Sequence, residues 1–337
     1  METSAVIHLE APIILAAVNS ARSILLHCHP SPDPDSVGSA LAMKFALESL
    51  GKKVTLIQGD STIPEAFAPF PGIKNIVPKN FGEIDQNEFD LFIVLDSSTP
   101  GMISKKCEVK FLPGLKVVVI DHHISNLKFG SINLVESTYP ATSQILFDLF
   151  TEWKLTITPD IAANLFVGIY TDTGGFQYAG VTPHTFEIAA ELSRIYPTFF
   201  KLIEFMDNHE KPAYVDFMGL GLSSITTMFN GVMAISTIPY TKLHEKGIGE
   251  NDIGVSDIYS FMRAVKDWTI TCAAVETKPG ETRFSFRSKD PVRFDVAKLA
   301  ASLGGGGHTM AAGLTLNLPL DQAVTKVVEA AKAMYNL

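Results

Sequence analysis

Apolar, β-type runs alternate with amphipathic stretches along the first half of the chain. These runs predict strands at residues 23–29, 53–58, 90–95, 116–120 and 132–135, with a short edge piece at 73–77. Apolar residues at helical spacing predict helices at residues 11–22, 36–50, 142–153 and 159–171. Because strands that alternate with helices build βαβ units, the pattern predicts an α/β domain with a mainly parallel, Rossmann-like sheet.

The second half of the chain predicts a smaller α/β domain with a mixed sheet. Its strands are expected within residues 224–238, 269–276, 283–286 and 312–316, and its helices at 256–266, 296–303 and 320–334. Prolines interrupt a helical pattern between the two halves. We therefore predict a first domain at residues 1–190, a helical linker at 191–215 and a second domain at 216–337.

Composition narrows the class of protein. The chain has 337 residues and a formal net charge of −9, which argues against a long nucleic acid duplex as partner but not against a short oligonucleotide. No apolar run approaches the roughly 18 residues of a membrane span, and the N-terminal stretch is a poor signal peptide. Three scattered cysteines fit free thiols in a reducing compartment. We predict a cytoplasmic protein with no membrane partner and leave a homodimer open.

Three of the predicted strands end in residue types that bind metals. The first strand leads into His29, the third into Asp96 and the fourth into Asp121-His122-His123. Because sites in open parallel sheets form outside the carboxyl ends of the strands, we expect these endings to meet in one cleft. Cys28 alternates with the neighbouring histidines along its strand, so we predict that it packs in the core.

Two further segments contribute carboxylates. Prolines at positions 30, 32 and 34 stiffen the loop that holds Asp33 and Asp35, so both side chains can project the same way, although Asp35 could instead simply cap the next helix. Asp172 falls near the predicted end of a helix, where the dipole disfavours a carboxylate and a nearby cation would remove the conflict; a capping or turn aspartate is the alternative.

Together these residues form a mixed carboxylate and imidazole set, which suits Mn²⁺, Mg²⁺ or Co²⁺ better than a thiolate zinc site. The predicted metal ligands are His29, Asp33, Asp35, Asp96, His122 and Asp172. One divalent ion would neutralise only half of four clustered carboxylates. Two ions neutralise all four, so the set predicts a two-metal hydrolase.

A glycine run near the C-terminus is the last chemical signal. Four glycines and a histidine, Gly304, Gly305, Gly306, Gly307 and His308, can bring backbone N–H groups close to an anion, although a flexible hinge loop is the plain alternative. The basic segment at Arg287-Ser288 favours contact with a phosphate or nucleotide.

The ordered motifs resemble the DHH phosphoesterase family, in the branch that carries the first type of DHH-associated C-terminal domain. His29, Asp33 and Asp35 match the first motif, Asp96 the second, Asp121-His122-His123 the third and Asp172 the fourth. Arg287-Ser288 and the run 304–308 match the substrate-binding motifs of the C-terminal domain. The compact length is most similar to the bifunctional oligoribonucleases and pAp phosphatases.

The resemblance implies roles for these residues. One Mn²⁺ ion would be bound by His29, Asp33 and Asp96, and a second by a set that shares Asp96, namely Asp35, Asp96, His122 and Asp172. His123 would contact the scissile phosphate or assist the leaving oxygen, and the C-terminal motifs would hold the far end of the nucleotide in a cleft between the domains. The implied activity is hydrolysis of short oligoribonucleotides to nucleoside monophosphates, and of pAp. Cyclic or linear dinucleotide cleavage and a pyrophosphatase or exopolyphosphatase activity are the alternatives.

Overall fold

The β-type runs of the first half pair as one parallel sheet. The computed structural model describes residues 4–178, 180–208, 211–249, 253 and 255–337, and the chain divides into two compact units, Met1–His209 and Glu210–Leu337. The strands of the first unit are β1 (Ser23–His27), β2 (Lys53–Ile57), β3 (Leu91–Leu95), β4 (Lys116–Asp121) and β5 (Ile132–Val135). Their order is β2-β1-β3-β4-β5, with every pair parallel.

Six α-helices accompany this sheet in the described part of the first unit. They are α1 (Ala5–Ser20), α2 (Pro34–Ser49), α3 (Thr142–Glu152), α4 (Pro159–Asp172), α5 (Pro183–Ile195) and α6 (Phe199–Asp207). Alternate strand residues pack into two apolar clusters. Leu26 packs with the helices, whereas Leu25 packs with aromatic residues of the β2–β3 and β3–β4 connections. Since both faces are covered, β3 is buried along its whole length.

Local sequence signals set where the helices next to the sheet begin. The Asp33 side chain accepts a hydrogen bond from Ser36 N–H and caps α2, and Thr158 caps α4 in the same way. A proline occupies the first helical position of both helices, where its missing N–H costs no hydrogen bond. The capping residue of α2 is thus Asp33 and not Asp35, which lies in the buried first turn.

The second unit contains a mixed sheet in the order β10-β11-β9-β8-β7-β6, in which only the β7–β8 pair is parallel among the described strands. Its strands are β6 (Thr226–Met228), β7 (Met233–Ile238), β8 (Ile270–Lys278), β9 (Glu281–Ser288), β10 (Gly306–His308) and β11 (Ala311–Leu316). Its helices are α7 (Pro212–Ser223), α8 (Tyr240–Glu245), α9 (Val255–Ala264), α10 (Val296–Ser302) and α11 (Leu320–Tyr335).

Some elements differ from the sequence-based expectations. Part of the glycine run is not a loop, because Gly306–His308 pairs with β11 as an edge strand. Residues 73–77 form a short 3-10 turn and a single bridge from Val77 to Ile57 in place of an edge strand. Helices α7 and α8 were not predicted. None of the described helices is both long and apolar enough to span a membrane.

Candidate active site

The strand order of the first unit brings the three chemically marked strands side by side. Strands β1, β3 and β4 are neighbours, and the chain changes direction across the sheet between β1 and β3. Ligand sites in such sheets lie at this switch point, outside the carboxyl ends of the strands. His29 follows β1, Asp96 follows β3, and His122 and His123 follow β4, so all of them reach this edge.

Asp96 lies at the centre of the cluster. Its side chain is 2% exposed, and its backbone has φ of +50°, a left-handed conformation that aspartate tolerates better than most residues. The Thr142 hydroxyl donates to Asp96 Oδ1 at 3.1 Å. The two carboxylate oxygens face different partners: Oδ2 lies 3.8 Å from His29 Nε2, and Oδ1 lies 3.6 Å from His122 Nε2. Asp96 can therefore bridge two cation positions.

The first group of donors consists of His29, Asp33 and Asp96, whose ligand atoms all lie within 4.8 Å of one another. His29 Nε2 is 3.1 Å from Asp33 Oδ2, while Asp33 Oδ1 accepts the N–H of Ser36. Asp33 is thus both a helix cap and a candidate ligand. Ser31 N–H donates to His29 Nδ1, which places the ring proton of a neutral His29 on Nε2. A cation can bind Nε2 only if that proton moves to Nδ1.

The second group consists of Asp35, His122 and Asp172. The Asp35 carboxylate accepts the backbone N–H groups of Thr142 and Ser143, at 2.7 and 2.9 Å, and so lies at the positive N-terminus of α3. A Cβ atom at Gly168 would stand 2.5 Å from Asp35 Oδ1, so this glycine permits the approach of α4. Asp172, the last residue of α4, places Oδ2 3.4 Å from His122 Nε2.

Burial and mutual repulsion control the protonation of these carboxyls. Burial, followed by the charges of Asp35 and Asp33, raises the pKa of Asp172 to about 9. Burial and the neighbouring carboxylates also raise the pKa of Asp96 well above its ordinary value, and burial raises the pKa of Asp35. In contrast, His29 and the Ser36 N–H outweigh burial and lower the pKa of Asp33. The cluster therefore lacks positive charge.

The donor set fits divalent cations. His122 Nε2 is buried and makes no hydrogen bond to any residue that the structure describes, although it faces two carboxylates. Carboxylate oxygens suit Mn²⁺ and Mg²⁺, and an imidazole nitrogen without a hydrogen bond adds a ligand that transition metals accept more readily than Mg²⁺ does. Cations here would also remove the repulsion among the carboxylates. Cys28 is buried in the core, as predicted, and burial raises the pKa of its thiol to about 12.

Beside the donors lies a hydrogen-bonded chain that ends at His123. Asp121 Oδ1 accepts from His123 Nδ1 at 2.7 Å, and Asn126 donates to Asp121 Oδ2 at 2.6 Å and to the Ser97 carbonyl at 3.2 Å. The bond to Asp121 raises the pKa of His123. The sequence analysis assigned no role to Asn126 or Thr142. The signal that could have indicated Asn126 is its position three residues after His123, and Thr142 stands out only as the first residue of a predicted helix.

The predicted substrate-binding residues lie together in the second unit. Arg287 on β9 pairs with Ala311 on β11, and Ala311 pairs with His308 on β10. Directly opposed residues share one face of a sheet, so Arg287 and His308 project from the same face, with Cα atoms about 10 Å apart across one intervening strand. The side chain between them is only a methyl group. Ser288 is buried on the other face, 5% exposed.

Comparisons with known proteins identify the family of the chain. The model of the DHH family N-terminal domain matches residues 23–169, and that of the DHHA1 domain matches residues 238–336. A Thermus thermophilus protein named bifunctional oligoribonuclease and PAP phosphatase NrnA is 31% identical over 316 residues, which cover 92% of this chain and 89% of that protein. A Bacillus subtilis protein of the same name is 26% identical, covering 90% of this chain and 92% of that protein.

A solved structure extends the likeness to the fold. The crystal structure of an exopolyphosphatase-related protein from Bacteroides fragilis has a TM-score of 0.83 with 22% identity and covers 97% of both chains. The two family matches and the relatives named NrnA place the chain among the phosphoesterases. The chain belongs to the DHH phosphoesterase family and carries a DHHA1 domain, as its motifs indicated.

Proposed function

We propose that this protein hydrolyses short oligoribonucleotides to nucleoside monophosphates and removes phosphate from pAp. The observation that carries the proposal is the likeness, over about nine-tenths of the chain, to proteins named for these two activities. The candidate site supports it, because its clustered donors suit a phosphate ester reaction. In this reaction water adds across a P–O bond, with hydroxyl to phosphorus and a proton to the leaving oxygen.

We propose two divalent cations as cofactors, with Mn²⁺ favoured. His29, Asp33 and Asp96 would hold one cation, and Asp35, His122 and Asp172 the other, with Asp96 shared. When bound, such a pair lowers the pKa of water and neutralises charge on the phosphate. The three cysteines are free, which fits the reducing cytoplasm that we propose as its location.

His123 is suited to proton transfer. Asp121 is buried, but hydrogen bonds from His123 and Asn126 outweigh that burial and lower the pKa of Asp121. The carboxylate therefore stays ionised and accepts a hydrogen bond from the N–H at Nδ1 of His123. This fixes the ring orientation and raises the pKa of His123. Nε2 is then the ring atom that can donate to a phosphate or leaving oxygen. We propose His123, together with the cation ligands Asp96 and His122, as the catalytic residues.

The second unit would supply substrate contacts. We propose that Arg287, His308 and the backbone around residues 304–307 bind a phosphate or sugar of the nucleotide away from the scissile bond. Gly307 has φ of +144°, and a Cβ atom there would meet the Ala311 carbonyl at 2.5 Å, so only glycine fits. A guanidinium beside an imidazole on one face suits an anionic ligand.

A substrate panel tests the proposal. Purified protein with Mn²⁺ is incubated with pAp, a dinucleotide, a pentanucleotide, a cyclic dinucleotide and pyrophosphate, and products are separated by ion-exchange chromatography. We expect mononucleotides from the linear compounds and AMP from pAp. Cleavage of only the cyclic dinucleotide, or of only pyrophosphate, would contradict the proposal. The variant Asp160→Asn, altered at the exposed start of α4, serves as an active control.

A further inference from the structure

The guanidinium of Arg287 lies over an aromatic ring. Its central carbon is 4.7 Å from the centroid of Tyr259, a residue of α9. Its Nη1 donates to the Phe286 carbonyl at 2.9 Å, which uses one of the five N–H donors. A cation this close to the face of a phenol ring is attracted by the ring quadrupole. The Arg287 guanidinium is therefore held by stacking on the Tyr259 ring and by the hydrogen bond from Nη1 to the Phe286 carbonyl.

The Tyr259 ring is itself fixed. The residue is 5% exposed, and its neighbours Ile258 and Met262 on α9 are fully buried, which anchors the helix to the sheet. Burial raises the pKa of Tyr259, and the nearby Ser285 offsets part of that rise. The Tyr259 hydroxyl nevertheless forms no hydrogen bond of normal geometry with any described residue. The ring can thus serve as a rigid support, and the hydroxyl adds little to that role.

Among the described residues, the charge of Arg287 is not balanced by a carboxylate. Among the residues that the structure describes, no carboxylate lies within ion-pair distance of its guanidinium. An arginine that is partly buried, stacked and without a carboxylate partner is ready to bind an external anion. Without the ring beneath it, this long side chain would populate several rotamers and lose conformational entropy when it binds a ligand.

We propose that Tyr259 is a positioning residue for substrate binding: its ring holds the Arg287 guanidinium in the orientation that receives a phosphate of the nucleotide. This inference rests on the proposed function, because it takes Arg287 as a substrate contact. It adds a residue from α9, a helix that carries none of the motifs matched in the sequence.

The proposed role predicts a specific kinetic signature. Arg287 would act on a part of the nucleotide away from the scissile bond, so loss of its positioning weakens substrate and transition state binding alike. We expect Tyr259→Leu and Tyr259→Met to raise KM for a dinucleotide about 3- to 10-fold, with kcat within about twofold of wild type. Tyr259→Phe keeps the ring and should match wild type.

The test is a double-mutant cycle in the full-length protein with Mn²⁺. Wild type, Tyr259→Leu, Arg287→Ala and the double variant are compared by KM and kcat for a dinucleotide, and by calorimetric Kd for AMP. Circular dichroism melts show whether each variant is folded, and Tyr259→Met replaces Tyr259→Leu if the latter is not. We expect Tyr259→Leu to have no further effect once Arg287 is alanine.

The outcomes separate the two proposals. If wild type cleaves the dinucleotide but the effects of Tyr259→Leu and Arg287→Ala add fully, Tyr259 does not act through Arg287 and the inference is wrong. Equal damage from Tyr259→Phe and Tyr259→Leu would also overturn it, because the ring would then be irrelevant. If wild type neither cleaves the dinucleotide nor binds AMP, the proposed function itself fails, and the inference fails with it.

Discussion

Replacing Asp172 by asparagine should stabilise the protein in the presence of a chelator, although it removes a proposed ligand. The carboxyl is 26% exposed, and its pKa rises from an ordinary 3.8 to about 9. At pH 7 it must bind a proton on folding, which costs at most about 4 kcal/mol at 1.36 kcal/mol per pKa unit. Because neighbouring carboxyls share this cost, we expect Asp172→Asn to gain about 2–4 kcal/mol.

The pH dependence follows from the direction of the shift. Since the folded pKa lies above the ordinary value, the stability linked to this proton is present at low pH and is lost as pH rises toward 9. The advantage of Asp172→Asn should therefore be small near pH 4 and grow through pH 8.5. At pH 7 this gain in stability corresponds to a melting temperature of Asp172→Asn that is roughly 5–15 °C above that of wild type, for a unit of this size.

The assay is thermal unfolding of wild type and variant with EDTA at several pH values, followed by addition of Mn²⁺. Wild type should gain stability from Mn²⁺, and Asp172→Asn should gain much less. The control Asp160→Asn makes the same change at the other end of α4 and should keep the Mn²⁺ response. A variant that is destabilised equally at every pH, or that responds to Mn²⁺ as wild type does, would refute the reasoning.

Three other substitutions separate the roles of individual residues. Asp33→Asn keeps the cap of α2, so the variant should stay folded, with a small loss of unfolding free energy because the charge that attracts His29 is removed. Mn²⁺ affinity by calorimetry should fall, and retained affinity would exclude Asp33 as a ligand. Asp121→Asn removes the charge that raises the pKa of His123. The alkaline limb of the pH profile of kcat should therefore move to lower pH. A limb that does not move would count against His123 as the proton donor. Asp96→Ala should lower Mn²⁺ affinity and kcat together by on the order of 100-fold or more, whereas full turnover would show that no shared ligand is needed.

Much of the fold of the first unit follows from local sequence. The central positions of β1, β3 and β4 are apolar one after another, as in strands covered on both faces, and the polar residues that follow indicate the edge where the donors gather. The convergence of His29, Asp96 and His122 then needs these three strands to pair in parallel as neighbours. The strand order that makes these three neighbours is a tertiary property.

Other features lay beyond the sequence for physical reasons. Asp35 accepts two N–H groups from the start of α3, more than 100 residues away, a contact that no local pattern encodes. Gly306–His308 forms a strand although glycine disfavours strands, because pairing with β11 outweighs propensity. Helix α8 is only six residues long, so it carries too little periodicity to be recognised. The stacking of Arg287 on Tyr259 likewise depends on how α9 packs on the sheet.

The proposed reaction depends on two divalent ions held at the carboxyl edge of the first sheet. Crystals grown with Mn²⁺ and measured at the manganese absorption edge test this directly through anomalous difference density. We predict two peaks, one among His29, Asp33 and Asp96 and the other among Asp35, His122 and Asp172, with Asp96 between them. Anomalous peaks at other positions only, or none in crystals of protein that cleaves a dinucleotide, would contradict it.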